Sequence, residues 1–445
     1  MTGGLIDLKT NGTQDIYLTG NPQITFFKNV FKKHTNFSME MIKLDPITST
    51  NLNETTTSKL EFKIDRNADL IKEVYFVFTL PDIYSNDTTK DYKFQWIQRI
   101  GEYIIDEVNL TIEGQEIQKM YSEYLHIWNE LTIDESKKDG YNRMIGNISD
   151  LYNPLKSDGT TYPFDNSKIR QSIKSRKIYV PLPFWFTNNS NLALPLIALQ
   201  YSEVKIILTL KPFNKLYTII DSGLRKKSPS STYNLGVFSQ SGSIISNLNI
   251  NPSLEINYIY LDESERKLFA DCEHNYLIQQ VQSRRSEKIT PSLNLETPTS
   301  IKLDYQHPIT QLIWVIQRSD FENRNQFHNY TNWPDKNIDP VINPTDYDAF
   351  ENEATFDATN IESYKHKDLL QSAVLKFNGQ DRFLVKDFKL FNLINNYQHM
   401  TRIPEDGIYV YSFALNMNIK ENQPYGSCNF SGIQKCRIKF NNYKS

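Results

Sequence analysis

Histidine and cysteine, the residues best suited to metal binding and nucleophilic chemistry, are scattered through this sequence of 445 residues. The seven histidines stand at positions 34, 126, 274, 307, 328, 366 and 399. None of them shows the H-x-H or H-E-x-x-H spacing that places two ligands on one element. Cys272 and His274 are the nearest pair, but they fall at a predicted helix end, which favours a half-buried structural cysteine. Cys428 and Cys436 lack the spacing of a zinc site, so we expect free thiols.

Motifs for phosphate binding and nucleophilic catalysis are absent from the sequence. It contains no G-x-x-x-x-G-K-[ST], G-x-G-x-x-G or G-x-S-x-G pattern. Two short basic runs, at 225–227 and 284–285, have the charge to contact phosphate, yet such runs are usually solvated loops. The net charge of −3, from 49 basic and 52 acidic residues, opposes binding to nucleic acid by bulk charge. We therefore predict no enzyme activity, no metal site, no cofactor and no direct nucleic-acid binding.

The compartment of the protein is indicated by its cysteines and its apolar runs. Three cysteines are too few for a disulfide framework and fit a reducing compartment. No apolar run reaches the roughly 18 residues that a membrane helix needs, and the N-terminus lacks the order of a signal peptide. Nine N-x-[ST] sequons occur, although ordinary glycosylation is weakly supported without a secretory signal. The glycosylation candidates are Asn86, Asn147, Asn188 and Asn329.

The elements predicted around these residues are mostly β-strands, since aromatic residues make up 13% of the chain and favour strands. Strands are predicted at 37–44, 59–64, 73–80, 107–112, 176–182, 184–186, 203–210, 254–261, 276–282, 300–305, 311–316, 373–377, 383–391, 407–415 and 437–440. Short helices are predicted at 21–33, 119–131 and 263–272. In the first helix Asn21 is the expected N-cap, with Phe26, Phe27, Val30 and Phe31 on one face.

The order of these elements is repeated in the two halves of the chain. Each half has a Phe- or Leu-faced helix, a strand pair with a polar turn, and a strand that ends in a Gly-Gln turn. These turns are Gly114-Gln115 and Gly379-Gln380. A loose likeness between any two strand-rich stretches is the alternative explanation. Two similar units of about 190 residues, each with about eight strands, are typical of antiparallel sandwiches such as the jelly roll.

The repeat divides the chain into four parts. We expect an N-terminal arm at 1–21, a first jelly roll at 22–212, a connector at 213–252 and a second jelly roll at 253–445. Long polar loops are expected at 134–176 and 318–370.

Five segments of the sequence resemble one protein family. The first is GTQDIYLTGNPQITFFK at 12–28, continuing to Thr35-Asn36-Phe37. The others are LPLIALQY at 194–201, YIYLD at 258–262, NGQDRF at 378–383 and GIYVYSFAL at 407–415. Together they resemble the major capsid proteins of nucleocytoplasmic large DNA viruses, most of all those of the chlorella-virus and related algal or amoebal branches. The match spans nearly the whole chain in the order of the family.

The resemblance implies an all-β double jelly roll, two eight-stranded antiparallel β-sandwiches in tandem with short helices and long loops. It implies a structural major capsid protein that forms homotrimers, and these pseudo-hexagonal capsomers tile an icosahedral shell. The implied partners are other copies of the chain, neighbouring capsomers, minor capsid and penton proteins, and an internal membrane that is nearby but not spanned. The implied location is the outer shell of the virion, assembled in the host cytoplasm. Candidates for inner-face contacts with minor capsid proteins are Asp15, Tyr17, Phe27 and Lys28.

The sequence also departs from the family pattern near its end. The family usually has Arg-Ile-Asp where this chain has Gly432-Ile433-Gln434, and it commonly continues with another strand. We expect an open sheet edge there, covered by the arm or by a neighbouring chain. Two other functions stay open at this point. One is a tandem β-sandwich surface protein that binds glycans, and the other is a cupin-like enzyme that holds a metal.

Overall fold

The described part of the chain folds into antiparallel strands joined by short helices. A computed structural model describes residues 3–10, 12–29, 31–48, 51–85, 92–156, 161–165, 167, 169–220, 226–227, 229–230, 233–284, 299–322, 324–333, 336, 366–417 and 423–442. The helices are α1 (Gly3–Lys9), α2 (Ile16–Thr19), α3 (Ile100–Tyr103), α4 (Ser122–Thr132), α5 (Lys138–Ile145), α6 (Ser149–Tyr152), α7 (Glu263–Asp271) and α8 (Asn395–His399). Within these ranges no helix has the length and apolar character to cross a membrane.

The first half of the chain forms two facing sheets. Its strands are β1 (Phe37–Leu44), β2 (Asn51–Asn53), β3 (Ser58–Lys63), β4 (Leu70–Leu80), β5 (Lys93–Trp96), β6 (Ile105–Ile112), β7 (Gln115–Tyr121), β8 (Arg176–Pro181), β9 (Leu194–Pro195), β10 (Val204–Leu210), β11 (Tyr217–Ile220), β12 (Lys226–Lys227), β13 (Asn247–Asn249) and β14 (Ser253–Leu261). One sheet has the order β1-β14-β4-β8, with β9 added beside β4, and the other has the order β3-β10-β6-β7. Most neighbouring strands in these two sheets are not consecutive in the chain, which is typical of jelly-roll sandwiches.

The core of this sandwich follows from the alternation of apolar residues along its strands. In β10, Val204, Ile206, Leu208 and Leu210 are buried, and the residues between them are half-exposed. Successive side chains of a strand point to opposite faces, so one face of β10 is fully apolar. These side chains share one continuous core with Phe76 of the other sheet.

The second half repeats the pattern with shorter strands. They are β15 (Thr299–Lys302), β16 (Pro308–Ile309), β17 (Gln311–Val315), β18 (Leu370–Phe377), β19 (Gln380–Asp381), β20 (Lys386–Asp387), β21 (Ile408–Ser412), β22 (Cys428–Asn429) and β23 (Cys436–Asn442). One sheet has the order β15-β23-β18-β19, with β20 beside β18, while β16 pairs with β22 and β17 with β21. Leu370, Phe391, Tyr409 and Phe440 lie in the core between them.

The two Gly-Gln turns occupy equivalent hairpins, which supports the internal repeat. Glu113 and Gly114 join β6 to β7 with φ values of 53° and 79°, and Ile112 is paired with Gln115. Asn378 and Gly379 join β18 to β19 with φ values of 51° and 92°. Positive φ at both central residues defines the type I′ turn, whose twist suits a two-residue hairpin.

The expected open edge near the end of the chain is not formed by the last strand. β23 lies between β15 and β18 and pairs with both. Within the described residues the arm takes no part in that sheet. The described arm residues therefore do not cover an edge of this sheet, and cover by a neighbouring chain stays a prediction.

The helix predicted at 21–33 is also wrong. The described residues between 21 and 33 contain no helix, and Asn21 has a φ of 52° instead of capping one. Phe26 and Phe27 are 90% and 97% exposed, so no surface within the described residues packs against them. Because amphipathic helices depend on such packing, the periodicity alone does not form the helix. The expected arm at 1–21 contains α1 and α2.

Three predicted strands are replaced by other structure. Residues 184–186 enter a 3₁₀ turn, Trp185–Thr187, and residues 276–282 form no strand. Only β20 forms within 383–391, and a π-helical turn, Leu390–Ile394, follows. Trp185 and Phe186 are adjacent yet both buried, which a half-exposed strand does not allow. The loop expected at 134–176 likewise contains α5 and α6.

The segment expected as a connector, 213–252, packs into the first sandwich. It contains β11, β12 and β13, and it buries Phe213, Tyr217 and Leu248 in the first core. β14, which was expected to open the second unit, pairs with both β1 and β4. These residues are thus part of the first sandwich.

Candidate functional site

One surface of the molecule is apolar and exposed. β1 pairs with β14 alone in the described part of the chain, and Phe37, Met39 and Met41 on its outer face are each about half exposed. The chain before β1 exposes further large apolar side chains, namely Leu5, Ile6, Leu8, Ile16, Tyr17, Leu18, Ile24, Phe26, Phe27 and Phe31. Monomeric proteins rarely expose such surfaces, and an open edge strand invites pairing with another chain. We call β1 and residues 3–36 together the apolar arm surface.

The four predicted inner-face residues all precede β1, Asp15 and Tyr17 within the arm at 1–21 and Phe27 and Lys28 just after it. Asp15 is half-buried, and its Oδ2 accepts a hydrogen bond from the Gly12 backbone N–H at 2.7 Å. Tyr17, Phe27 and Lys28 are exposed. Their contact with minor capsid proteins stays a prediction.

The four glycosylation candidates have different surroundings. Asn86 lies outside the described residues. Asn147 and Asn188 are half-buried, and glycosylation at both stays a prediction. Asn329 is buried, and its Nδ2, the atom that would carry a glycan, donates to the Trp333 carbonyl at 2.8 Å. The fold therefore argues against Asn329 as a site, because a bulky sugar has no room there.

Two of the three cysteines are poor nucleophiles. All three are free, as predicted. Cys272 was expected to be half-buried, but it is exposed. The neighbouring His274 has its Nε2 2.7 Å from the Phe269 carbonyl oxygen. Burial raises the pKa of Cys436 to about 12, and it also raises the pKa of Cys428. Both thiols are thus protonated at neutral pH and are poor nucleophiles.

A buried group of charged side chains joins the two sandwiches. Arg99, which precedes α3 in the first half, has its Nη2 2.7 Å from Glu130 Oε1 and 2.9 Å from Glu405 Oε1. Arg402, in the second half, contacts the Glu130 carboxylate, and its Nε donates to the Glu130 carbonyl at 2.9 Å. We call Arg99, Glu130, Arg402 and Glu405 the interunit charge cluster.

The electrostatics of this cluster depend on its burial. Burial alone raises the pKa of Glu130, but the Arg99 and Arg402 guanidinium groups lower it below its usual value. Lys336 also contacts Glu405, and burial lowers the pKa of this lysine to about 7, with Arg99 adding to the effect. The Glu130 carboxylate is therefore held in its charged form by Arg99 of the first half and Arg402 of the second.

A second polar group lies beside this cluster. Glu102 of α3 has its Oε2 3.2 Å from His126 Nδ1 of α4, and the His126 ring lies 4.2 Å from the His328 ring. Tyr103 stacks on Phe327 with 3.7 Å between ring centroids, which fixes the segment that carries His328. Sequence reasoning missed this group because His126 and His328 are far apart in the chain and share no motif.

Two antiparallel sandwiches in one chain define the double jelly-roll class of capsid proteins. The model of the major capsid protein N-terminus matches residues 25–262, and that of the large eukaryotic DNA virus major capsid protein matches residues 265–445. The chain therefore belongs to the major capsid protein family of large eukaryotic DNA viruses.

Individual relatives agree with this assignment. The major capsid protein of Phaeocystis pouchetii virus is 33% identical over 99% of this chain and 92% of its own length. That of Paramecium bursaria Chlorella virus 1 is 32% identical over 98% of this chain and 87% of its own length. A quasi-atomic structure of the PBCV-1 virus capsid superposes with a TM-score of 0.69 at 28% identity, covering 94% of this chain and 87% of that one.

These matches confirm two predictions. The fold is a double jelly roll, and the chain is a structural capsid protein and not an enzyme. A Faustovirus major capsid protein shares the fold at 13% identity, with a TM-score of 0.64 over 97% of this chain and 91% of that one.

Proposed function

We propose that this chain forms homotrimers, and that these pseudo-hexagonal capsomers tile the icosahedral shell of a large DNA virus. The apolar arm surface is the observation that carries the proposal, because nothing in the described chain covers it. A threefold axis acting on two similar sandwiches produces six similar units, which suits a hexagonal outline. Exposed methionine and phenylalanine on an edge strand are typical of surfaces that are buried on assembly.

The remaining partners follow from the same arrangement. The trimer contacts neighbouring capsomers in the outer shell, and penton proteins close the vertices. The arm, with Asp15, Tyr17, Phe27 and Lys28, points inwards to minor capsid proteins and to a nearby membrane that the chain does not span. Assembly takes place in the host cytoplasm.

We further propose that the first jelly roll extends through β14 and that the second begins with α7. The pairing of β14 with β1 and β4 supports this division, as do family matches that meet between residues 262 and 265. This boundary replaces the division at residue 253.

Light scattering on the purified full chain tests trimer formation. We expect a mass three times the 52.0 kDa of one chain. The variant with both Met39→Lys and Met41→Lys should dissociate, because two ammonium groups then face an apolar contact. Both side chains are exposed in the single chain, so the variant should keep the β-sheet content of the wild type in circular dichroism.

Leu268→Lys is the matched control, since Leu268 is equally exposed but lies on α7, outside the apolar arm surface. It should leave the trimer intact. A wild-type chain that stays monomeric at micromolar concentration would contradict the proposal, as would a double-lysine variant with an unchanged trimer.

A further inference from the structure

Three side chains that can bind metal meet where the two jelly rolls touch. Glu102, His126 and His328 each place one candidate ligand atom within 4.8 Å of the others. Glu102 and His126 belong to helices of the first unit, and His328 belongs to a loop of the second. Ligands bound tetrahedrally at about 2.0–2.1 Å stand about 3.4 Å apart, so small side-chain rotations suffice to close the set.

Two of these side chains have unsatisfied nitrogens. Within the described residues, Nε2 of His126 and Nε2 of His328 are buried and have no hydrogen-bond partner. A buried polar atom without a partner is costly, so such atoms call for a ligand or for ordered water. The hydroxyl of Tyr330 is also buried without a hydrogen-bond partner among the described residues. The Tyr330 ring lies 5.9 Å from the His126 ring. The group therefore offers three buried, unpartnered atoms together with a carboxylate.

The carboxylate is already held in place by its neighbours. Asn129 Nδ2 donates to Glu102 Oε1 at 3.1 Å, and the Tyr141 hydroxyl donates to the same oxygen. The other oxygen, Oε2, faces His126 and lies 4.0 Å from Arg99 Nη1. Such orienting hydrogen bonds fix the ligands of metal sites and raise their affinity.

We propose that Glu102, His126 and His328 form a structural site for a divalent transition metal, with Tyr330 or water completing the coordination. Two imidazoles and one carboxylate suit zinc, cobalt or iron(II), while calcium and magnesium prefer all-oxygen sites. The metal would connect two helices of the first jelly roll to a loop of the second.

Cobalt titration of the full chain tests this proposal. After treatment with EDTA and its removal, the wild-type protein should bind one Co²⁺ per chain and show visible ligand-field bands. Zn²⁺ should displace the cobalt and raise the thermal midpoint. This measurement requires no variant.

His328→Gln removes one ligand from a loop and should lower Co²⁺ affinity by more than about 100-fold, the upper range for loss of an orienting group. His399→Gln is the matched control: this imidazole is also half-buried in the second unit, but its Nδ1 lies 2.9 Å from the Leu415 carbonyl. The control should bind cobalt like the wild type. Absence of stoichiometric cobalt binding by the wild type would overturn the proposal, and so would equal affinity of the His328→Gln variant.

Discussion

Replacing Arg99 with methionine should weaken the contact between the two jelly rolls. The Arg99 side chain is 7% exposed, and its Nη2 bonds Glu130 of the first unit and Glu405 of the second. Methionine keeps an unbranched apolar stem but removes the charge. The φ of 54° at this position is unfavourable for both residues, so the backbone strain does not change.

The magnitude follows from the burial of the partners. Glu130 is 4% exposed, and removing one partner of a buried ion pair costs about 3–5 kcal/mol. Arg402 still contacts Glu130 in the variant, so we expect the lower end, about 3 kcal/mol. Glu405 is more exposed and also contacts Lys336, so Glu405→Gln should cost only about 1 kcal/mol.

Equilibrium unfolding in urea, followed by tryptophan fluorescence, measures these costs. A double-mutant cycle of Arg99→Met and Glu405→Gln isolates the pair that joins the two units, with an expected coupling of about 0.5–3 kcal/mol. Lys267→Met is the control, since its pair with Glu263 is 72% and 82% exposed and should contribute less than about 1 kcal/mol. If Arg99→Met costs no more than this control, or if the coupling is zero, the cluster does not hold the units together.

Two further predictions concern single residues of the second jelly roll. Burial and a neighbouring aspartate raise the pKa of Asp368 to about 6, so the fold favours the protonated carboxyl. The stability that this protonated group contributes is fully present below about pH 3.8 and is lost as the pH rises through 6. Asp368→Asn keeps an acceptor for the Tyr409 hydroxyl and should therefore raise the thermal midpoint at pH 7 but not at pH 4. A midpoint that rises at pH 4 but not at pH 7 would contradict the raised pKa of Asp368. Gly407→Ala should destabilise far more than Gly114→Ala, since both have positive φ but only at Gly407 would a Cβ meet the Tyr330 carbonyl oxygen, at 2.3 Å. We expect about 1–2 kcal/mol for Gly114→Ala and a larger loss for Gly407→Ala in urea unfolding, and equal losses would refute the steric argument.

Local sequence patterns predicted much of the β-structure. The alternation in β10 and the positive-φ residues of the Glu113-Gly114 turn are local signals, and both elements appear within a residue of their expected bounds. The strand at 37–44 was also predicted correctly. Its alternation did not show whether its apolar residues face the core or the solvent. Period-two alternation marks a strand that has two different faces, and it does not say which face is covered by the same chain.

The functional features that were missed depend on contacts between distant residues. The apolar run at 21–33 has helical period, yet its phenylalanines are exposed and pack against no part of the chain that the structure describes. His126 and His328 come together only because the second unit docks on α4. No spacing rule covers side chains that belong to different domains, so the metal-ligand patterns used on the sequence did not detect them.

The chemistry of the two kinds of contact differs, and the difference suits a subunit of a shell. Between the jelly rolls of one chain the contact contains buried, directional ion pairs, such as Arg99 with Glu405. Such pairs add little net stability compared with apolar packing, but they permit few alternative orientations. The contact between the jelly rolls also has an apolar part, in which Ile127 and Leu131 pack with Ile408. The apolar arm surface differs because it exposes Phe side chains and flexible Met side chains that adapt to a partner. In the proposed trimer, a variable orientation of the two sandwiches would leave the six units around the threefold axis without one shared outline. We therefore infer that the charge cluster fixes the shape of the subunit, while the apolar arm surface supplies the free energy of assembly.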